Sequence, residues 1–325
     1  MKPGFLLRLA VVAALAAGCG PRQGRTSDSA AAPVRDFPMI QIPAMYTDAA
    51  DRQAYATEHY WDRFFSGAAG MLCDSLTVCG VSKDKVEDNF STFVSILGNQ
   101  DVKDGQKGME TLFSKVEAAQ AADSLSNVWE VFSWFAEHYL YDPNSPFRNE
   151  DLYLPYVRGL AESPLTDPTQ APSYAFTARM CAMNAIGTPA ADFRFTDNAG
   201  RSRRLYDIRA GHTLLFVSNP GCEACKAIIE NLRSMPFLPE LISDGRLAVV
   251  NVYIDGDIQA WKEYQSFYPR EWFNGYDPDM VIREDLLYHV RAIPSLYVLD
   301  ADKRVIMKDA PEERVFAFLE SIRRD

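Results

Sequence analysis

Residues 213–225 read TLLFVSNPGCEAC, an apolar run followed by a turn and two cysteines. The uninterrupted apolar run at 213–218 is typical of a strand that is buried on both faces of a sheet. The Asn-Pro-Gly sequence at 219–221 favours a turn after this strand, and apolar residues recur at helical spacing beyond Cys225. The pattern therefore predicts a strand, a turn and a helix in succession. The helix begins at Cys222 and carries both sulfur atoms on its first turn.

Two cysteines at this place and spacing can support redox chemistry. The first turn of a helix has unpaired N–H groups and a partial positive charge, which favour the thiolate form of Cys222. A thiolate attacks a disulfide, and Cys225 can then resolve the mixed disulfide. Glu223 lies between the cysteines, and its charge opposes thiolate formation. Cys222 and Cys225 are therefore the candidate catalytic residues and the candidate redox-active disulfide, and we expect no cofactor.

An inert structural disulfide and one half of a metal site are the other interpretations of this motif. Zinc needs four ligands, usually from two such pairs. The only other close pair, Cys73 and Cys79, has five residues between its members and lies in a different part of the chain. We therefore expect no metal site, and the inert disulfide stays an alternative. The four histidines show no metal-ligand spacing and are expected on helix faces or at the surface: His59, His138, His212 and His289.

Strands and helices continue to alternate on both sides of the motif. Apolar runs predict further strands at 247–254, 295–299 and 304–307, the last two joined by a tight turn. Amphipathic patterns predict helices at 258–267 and 311–322. This alternation is typical of an α/β domain built on a central mixed sheet.

The C-x-x-C motif after an apolar strand, with Ile293-Pro294 before another strand about 70 residues later, resembles the thioredoxin-like superfamily. The resemblance implies that Pro294 is cis and packs opposite the cysteines, and that Ile293 offers its backbone to the substrate. Residues 187–193, GTPAADF, are similar to the opening segment of membrane-tethered periplasmic thioredoxins and peroxiredoxin relatives. The likeness covers residues 187–325. Thioredoxins place a buried acid six residues before the first cysteine, where this chain has Phe216.

Residues 48–184 carry apolar and aromatic stripes at helical spacing. One predicted helix follows Ser82 as its cap, and Asp123 is predicted to cap the helix that begins directly after it. Two further helices are predicted at 150–162 and 173–184. Aromatic stripes at this spacing are more typical of a core than of a ligand groove. The sequence thus predicts an α+β chain of two domains, an all-α domain followed by the α/β thioredoxin-like domain.

Two segments of this helical region resemble a known domain. Residues 58–64, EHYWDRF, and residues 139–150 are similar to an uncharacterised helical domain that accompanies thioredoxin-like domains in Gram-negative lipoproteins. The resemblance supports the two-domain architecture. It lends no activity to residues 48–184.

Residues 1–18 are predicted to be a signal peptide. A positive start precedes an apolar run at 9–17 that is too short to span a bilayer. The sequence before Cys19 resembles the bacterial lipobox, in which the cysteine becomes the lipidated first residue; an ordinary signal peptide is the alternative. Residues 19–47 are predicted to form a tether. We expect a lipid-anchored protein that faces the periplasm in the cell envelope, with the outer membrane favoured.

The net charge limits the classes of partner that we expect, and the cysteine count limits the disulfides. The 325 residues include 33 Lys and Arg against 44 Asp and Glu, for a net charge of −11. A surface of this sign repels phosphate backbones, so nucleic acid is not an expected partner. Beyond Cys19 and the C-x-x-C pair, Cys73 and Cys79 either pair across a loop or stay reduced. Cys181 is expected to be a buried free thiol.

Two classes of function are consistent with these features. The favoured one is an envelope thiol–disulfide oxidoreductase that acts on disulfide-containing or dithiol proteins or on small disulfides, with a membrane electron donor or acceptor as a further partner. The alternative is a non-catalytic envelope lipoprotein, in which the helical domain binds a partner and the thioredoxin fold is a scaffold. The pattern leaves the direction of electron flow open.

Overall fold

The N-terminal half of the chain is helical. The computed structural model describes residues 34–68 and 70–324, and within them this half has seven helices and a two-stranded antiparallel ribbon. The elements in chain order are α1 (Ala49–His59), α2 (Asp62–Ser66), β1 (Thr77–Val78), β2 (Val81–Ser82), α3 (Lys83–Gly98), α4 (Val102–Ala122), α5 (Val128–Leu140), α6 (Glu150–Glu162) and α7 (Ala171–Cys181). The sequence pattern predicts only helices in this half and misses the β1–β2 ribbon. In the described part of the chain, no helix is both long enough and apolar enough to cross a bilayer.

An aromatic core holds these helices together. The backbone leaves the helix at Tyr60 and Trp61, which separates α1 from α2 and lets both rings become buried. The ring of Trp61 meets Phe132 edge-on with centroids 5.0 Å apart, and it meets Phe93 in the same way at 5.9 Å. Such pairs contribute about 0.5–1.5 kcal/mol each beyond the burial of their area. The predicted aromatic stripes are therefore core residues.

One predicted helix start is wrong. Asp123 follows the end of α4, and its carboxylate accepts a hydrogen bond from the N–H of Leu125 at 3.0 Å in a local turn. Leu125, which the pattern places on a buried helix face, is 88% exposed. The next helix, α5, begins only at Val128. An aspartate that bonds to the backbone two residues later favours a turn over a helix, which explains the difference.

A seven-stranded mixed sheet forms the C-terminal half. Its elements are β3 (Arg194–Asp197), β4 (Ser202–Arg204), β5 (His212–Val217), α8 (Glu223–Ser234), α9 (Leu238–Ser243), β6 (Leu247–Tyr253), α10 (Ile258–Glu263), β7 (Phe273–Tyr276), β8 (Ser295–Leu299), β9 (Val305–Met307) and α11 (Glu312–Ile322). The strand order is β4-β3-β7-β6-β5-β8-β9. β5 pairs in parallel with β6 and antiparallel with β8, so the strand before the cysteines lies in the interior of the sheet. The predicted α+β architecture of two domains is confirmed.

The sequence pattern misses three strands of this sheet, β3, β4 and β7. They are short, and β3 and β4 carry exposed or half-buried arginines instead of an apolar run. β7 contains Gly275, where a Cβ atom would lie 2.5 Å from the Phe195 ring and 2.8 Å from the carbonyl oxygen of Thr196. Glycine here allows β7 to approach β3, although it weakens the strand signal in the sequence.

Candidate active site

The two cysteines lie where β5, an interior strand of the sheet, is followed by α8. β5 ends at Val217, and the following turn includes Gly221 with φ +74°, a conformation that suits glycine. Cys222 is the N-cap residue of α8 and forms a disulfide with Cys225, their Cα atoms 5.2 Å apart. The N–H of Cys225 donates to the Cys222 Sγ at 3.1 Å. The Cys222 sulfur therefore lies at the positive end of the helix.

The two sulfur atoms differ in accessibility. Cys222 is half-buried, whereas Cys225 is 1% exposed and belongs to the same core as Ile229 and Phe216. Phe216 is fully buried, so an apolar ring occupies the strand position where thioredoxins have an acid. An incoming sulfur atom can reach Cys222 more easily than Cys225. This is the asymmetry that a nucleophile and a resolving thiol require.

The loop before β8 lies beside the disulfide. Val217 pairs with Ser295 in antiparallel register, so the residues that precede Ser295 meet the end of β5. The Ile293–Pro294 peptide bond is cis, the isomer that the resemblance to the thioredoxin-like superfamily implies. The carbonyl oxygen of Ile293 lies 3.9 Å from the Cys222 Sγ. The structure thus brings together Cys222, Cys225, Ile293 and Pro294, while Cys19 lies outside the described residues.

A buried chain of hydrogen bonds joins the residue after β5 to β6 and β7. The Ser218 hydroxyl donates to the Asn251 Oδ1 at 2.5 Å, and the Asn251 side chain donates to the Asn274 Oδ1 at 3.1 Å. The Asn274 side chain donates to the carbonyl oxygen of Pro269 at 2.7 Å. A satisfied polar network in a core rigidifies the elements that it joins. These polar residues in or beside apolar strands are the only sequence signal for the network.

A cluster of charged residues surrounds Glu150, the first residue of α6. Glu150 is 2% exposed. Its Oε1 lies 2.7 Å from the Arg291 Nε and 3.2 Å from the His289 Nδ1, and its Oε2 lies 2.8 Å from the Lys308 Nζ. The Arg291 Nη2 donates to the Asp309 Oδ2 at 2.9 Å. The expectation that His289 lies on a helix face or at the surface is wrong, because its side chain is 12% exposed and packs within this cluster.

The cluster attaches the loop before β8, which carries the Ile293–Pro294 peptide bond and is called the proline loop below, to the helical half. Burial opposes ionisation of Glu150, but its neighbours His289, Lys308 and Arg291 outweigh burial and lower the pKa of this carboxyl to about 2. Glu150 thus pairs with three basic side chains at once. Arg291 stands two residues before Ile293. Glu150 therefore holds one end of the proline loop from the opposite domain.

The other described cysteines are free thiols. Cys73 and Cys79 do not form a disulfide; the N–H of Cys79 donates to the Cys73 Sγ at 3.3 Å. Burial raises the pKa of Cys79 and of Cys181 to about 12, which suppresses their thiolate forms. Among residues 34–68 and 70–324, no group of three or more His, Cys, Asp and Glu is placed to hold a metal ion.

Known proteins resemble both halves of the chain. The family described as a domain of unknown function, DUF5106, matches residues 19–184. A thioredoxin-like protein from Bacteroides caccae is 31% identical, with 88% of this chain and 98% of that chain covered and a TM-score of 0.75. The C-terminal domain of an uncharacterized protein from Bacteroides fragilis is 40% identical over 42% of this chain and 98% of its own, with a TM-score of 0.41. No curated protein sequence matches the chain.

These matches agree with the architecture. The DUF5106 family spans just over half of the chain and includes all seven helices of the N-terminal half. The Bacteroides caccae structure extends over both halves, with nearly its whole length covered. The chain therefore belongs to the thioredoxin-like proteins, with a domain of the DUF5106 family at its N-terminal side.

Proposed function

We propose that the protein is a thiol–disulfide oxidoreductase. In the reduced form, the Cys222 thiolate attacks a substrate disulfide, forms a mixed disulfide and releases one substrate thiolate. Cys225 then loses its proton and attacks the Cys222 sulfur, which frees the second substrate thiolate and forms the Cys222–Cys225 disulfide. Two electrons pass to the substrate, and an external dithiol returns them to the protein. The same steps in reverse oxidise a dithiol substrate.

The observation that carries this proposal is the asymmetric disulfide beside the proline loop. Cys222 is the more accessible sulfur, lies at a helix N-terminus and is 3.9 Å from the Ile293 carbonyl oxygen. We assign to Ile293 and Pro294 the binding of the substrate backbone next to the reacting sulfur. The partners in this proposal are proteins that carry a disulfide or a dithiol. A passive scaffold would require neither the access to Cys222 nor its place at the helix terminus.

Catalysed reduction of insulin tests this activity. With dithiothreitol as the electron donor, the full chain is expected to accelerate the precipitation of reduced insulin well beyond dithiothreitol alone. The reduction potential of the Cys222–Cys225 pair, measured against glutathione, then gives the favoured direction of electron flow. A precipitation rate equal to that of dithiothreitol alone would contradict the proposal and favour the scaffold.

We also propose that the mature protein is held at the envelope membrane by lipid on Cys19. Each buried methylene contributes about 0.8 kcal/mol, and a single acyl chain binds a membrane only marginally, so stable attachment requires several chains. The Cys19→Ala variant is expected to move to the soluble fraction or to stay an unprocessed precursor, as seen by fractionation and mass spectrometry. Its thiol chemistry at Cys222 is expected to be unchanged. A processed variant that still sediments with membranes would contradict the lipid anchor.

A further inference from the structure

A cleft beside the disulfide has walls from both domains. It has a volume of about 330 Å³. Ala224, Ile293 and Pro294 line it from the thioredoxin-like side, and Pro143 and Pro146 line it from the helical side. The segment between α5 and α6 therefore borders a cleft that reaches Ala224, between the two cysteines, and the Ile293–Pro294 pair.

Hydrogen bonds hold the helical wall in place. The Arg148 Nε donates to the carbonyl oxygen of Asp309 at 3.0 Å, and its Nη2 donates to the carbonyl oxygen of Ala310 at 3.0 Å. The Ser145 hydroxyl donates to the carbonyl oxygen of Tyr139 at 2.6 Å. Glu150, within its charged cluster, begins the helix that follows this segment. The wall is thus a fixed surface that is fastened to the opposite domain.

The shape of the surface suits an extended chain better than a small disulfide. A second depression of about 680 Å³ shares Pro143 with the cleft and continues to His138 and Trp134. Trp134 is 45% exposed, and its ring stacks on that of His138 with centroids 4.5 Å apart. Exposed aromatic rings of this kind are common anchors in binding surfaces. The two depressions together extend along the helical domain away from the reactive sulfur.

The charge of the cleft is negative. Glu312 and Glu313 at the start of α11 both line it, and within the described residues neither forms a salt bridge. Burial and the adjacent Glu313 raise the pKa of the Glu312 carboxyl despite the charge of Arg148. Arg148 also lines the cleft and offsets one of these two charges, while two of its donors bond to backbone carbonyls. Glu223, exposed between the cysteines, adds a further negative charge close by.

We propose that this cleft binds the extended segment of a protein substrate on either side of its reactive cysteine, and that it favours a segment with Lys or Arg beside that cysteine. The inference rests on the proposed oxidoreductase activity and names its substrate class. The helical domain acts here as one wall of the substrate site. Pro143 and Pro146 limit the width of the chain that enters, while Glu312 and Glu313 select its charge.

Two disulfide-linked homodimeric peptides test the charge selection. Their sequences are Gly-Lys-Cys-Lys-Gly and Gly-Glu-Cys-Glu-Gly, and each catalysed rate is divided by the rate with dithiothreitol alone. The lysine peptide is expected to have a kcat/KM roughly fivefold higher, because its ammonium groups form exposed ion pairs with the two carboxylates, whereas the glutamate peptide is repelled by them. The ratio is expected to fall towards one in the E312Q/E313Q double variant and in high salt. The control Glu240→Gln, at an exposed position of α9, is expected to leave the ratio unchanged.

A second variant tests the helical wall. Asn144 is exposed and lines the cleft, so Asn144→Trp is expected to lower kcat/KM for the lysine peptide about fivefold or more while reduction of hydroxyethyl disulfide is unchanged. The control Asn198→Trp lies in the turn between β3 and β4, at the opposite edge of the sheet, and is expected to change neither rate.

Equal rates for the two peptides would overturn the charge selection and leave the carboxylates with a role only in stabilising the N-terminus of α11. An unchanged peptide rate in Asn144→Trp would overturn the wall. Failure to reduce hydroxyethyl disulfide at all would instead overturn the oxidoreductase activity. Reduction of hydroxyethyl disulfide therefore distinguishes failure of the cleft proposal from failure of the proposed oxidoreductase activity.

Discussion

Replacing Cys222 with serine is expected to abolish catalysed disulfide reduction, with a loss of more than about a thousandfold in kcat/KM. The serine hydroxyl stays protonated and cannot form the mixed disulfide that starts the cycle. In Cys225→Ser, by contrast, the first attack is intact and the resolving step is lost. This second variant is expected to accumulate a mixed disulfide with its substrate, which mass spectrometry detects as a covalent adduct that a reductant removes.

The matched control for both variants is Cys73→Ser. Cys73 is a half-buried free thiol in the helical half, so its replacement removes one sulfur without altering the proposed site. Insulin reduction by this variant is expected to equal that of the wild type. Wild-type turnover in both Cys222→Ser and Cys225→Ser would show that this disulfide is inert.

Replacing Glu150 with glutamine is expected to lower the free energy of unfolding by about 3 kcal/mol at neutral pH. Removal of one partner from a buried charged group costs roughly 3–5 kcal/mol, because the remaining charges lose their compensation. The variant leaves Arg291 and Lys308 facing a neutral amide. Urea unfolding, followed by tryptophan fluorescence, measures the change.

The pH dependence identifies the charge as the cause. The pKa of Glu150 is about 2 in the folded chain, against an ordinary 4.5, so its contribution is complete above pH 4.5 and is lost as pH falls towards 2. The stability difference between wild type and Glu150→Gln is therefore expected to shrink over this range. Glu162→Gln, at the exposed end of the same helix, is the control and is expected to change stability by less than about 0.5 kcal/mol. A loss of similar size in both variants would contradict the role of the cluster.

The sequence predicts the parts of the fold whose signals are local. The apolar runs at 213–218 and 295–299 correspond to β5 and β8, because a strand that is buried on both faces needs apolar residues throughout. β3, β4 and β7 give no such signal, since they are short and gain their stability from pairing with neighbours. The prediction at Asp123 fails although its signal is local, because aspartate caps helices but also stabilises turns.

The candidate active site shows the same difference between local and non-local signals. Cys222 and Cys225 are recognisable because two residues of spacing at a helix start have a direct chemical meaning. Pro294 is recognisable through its family resemblance and its place before a strand. The cluster around Glu150 has no local signal, because its partners come from the other domain and become neighbours only when the two domains pack together. Arg148 shows this plainly, since its side chain bonds to a carbonyl 161 residues away.

The charged cluster around Glu150 also has a consequence for fluctuations of the active site. A loop that opens alone exchanges its amide hydrogens independently of the rest of the protein. Here, opening of the loop that precedes β8 requires separation of Arg291 from Glu150, which is one of the contacts between the two domains. We therefore expect this loop and the start of α6 to open together, as one cooperative unit in hydrogen exchange. Opening of the loop beside Cys222 is therefore expected to depend on its contact with the helical domain.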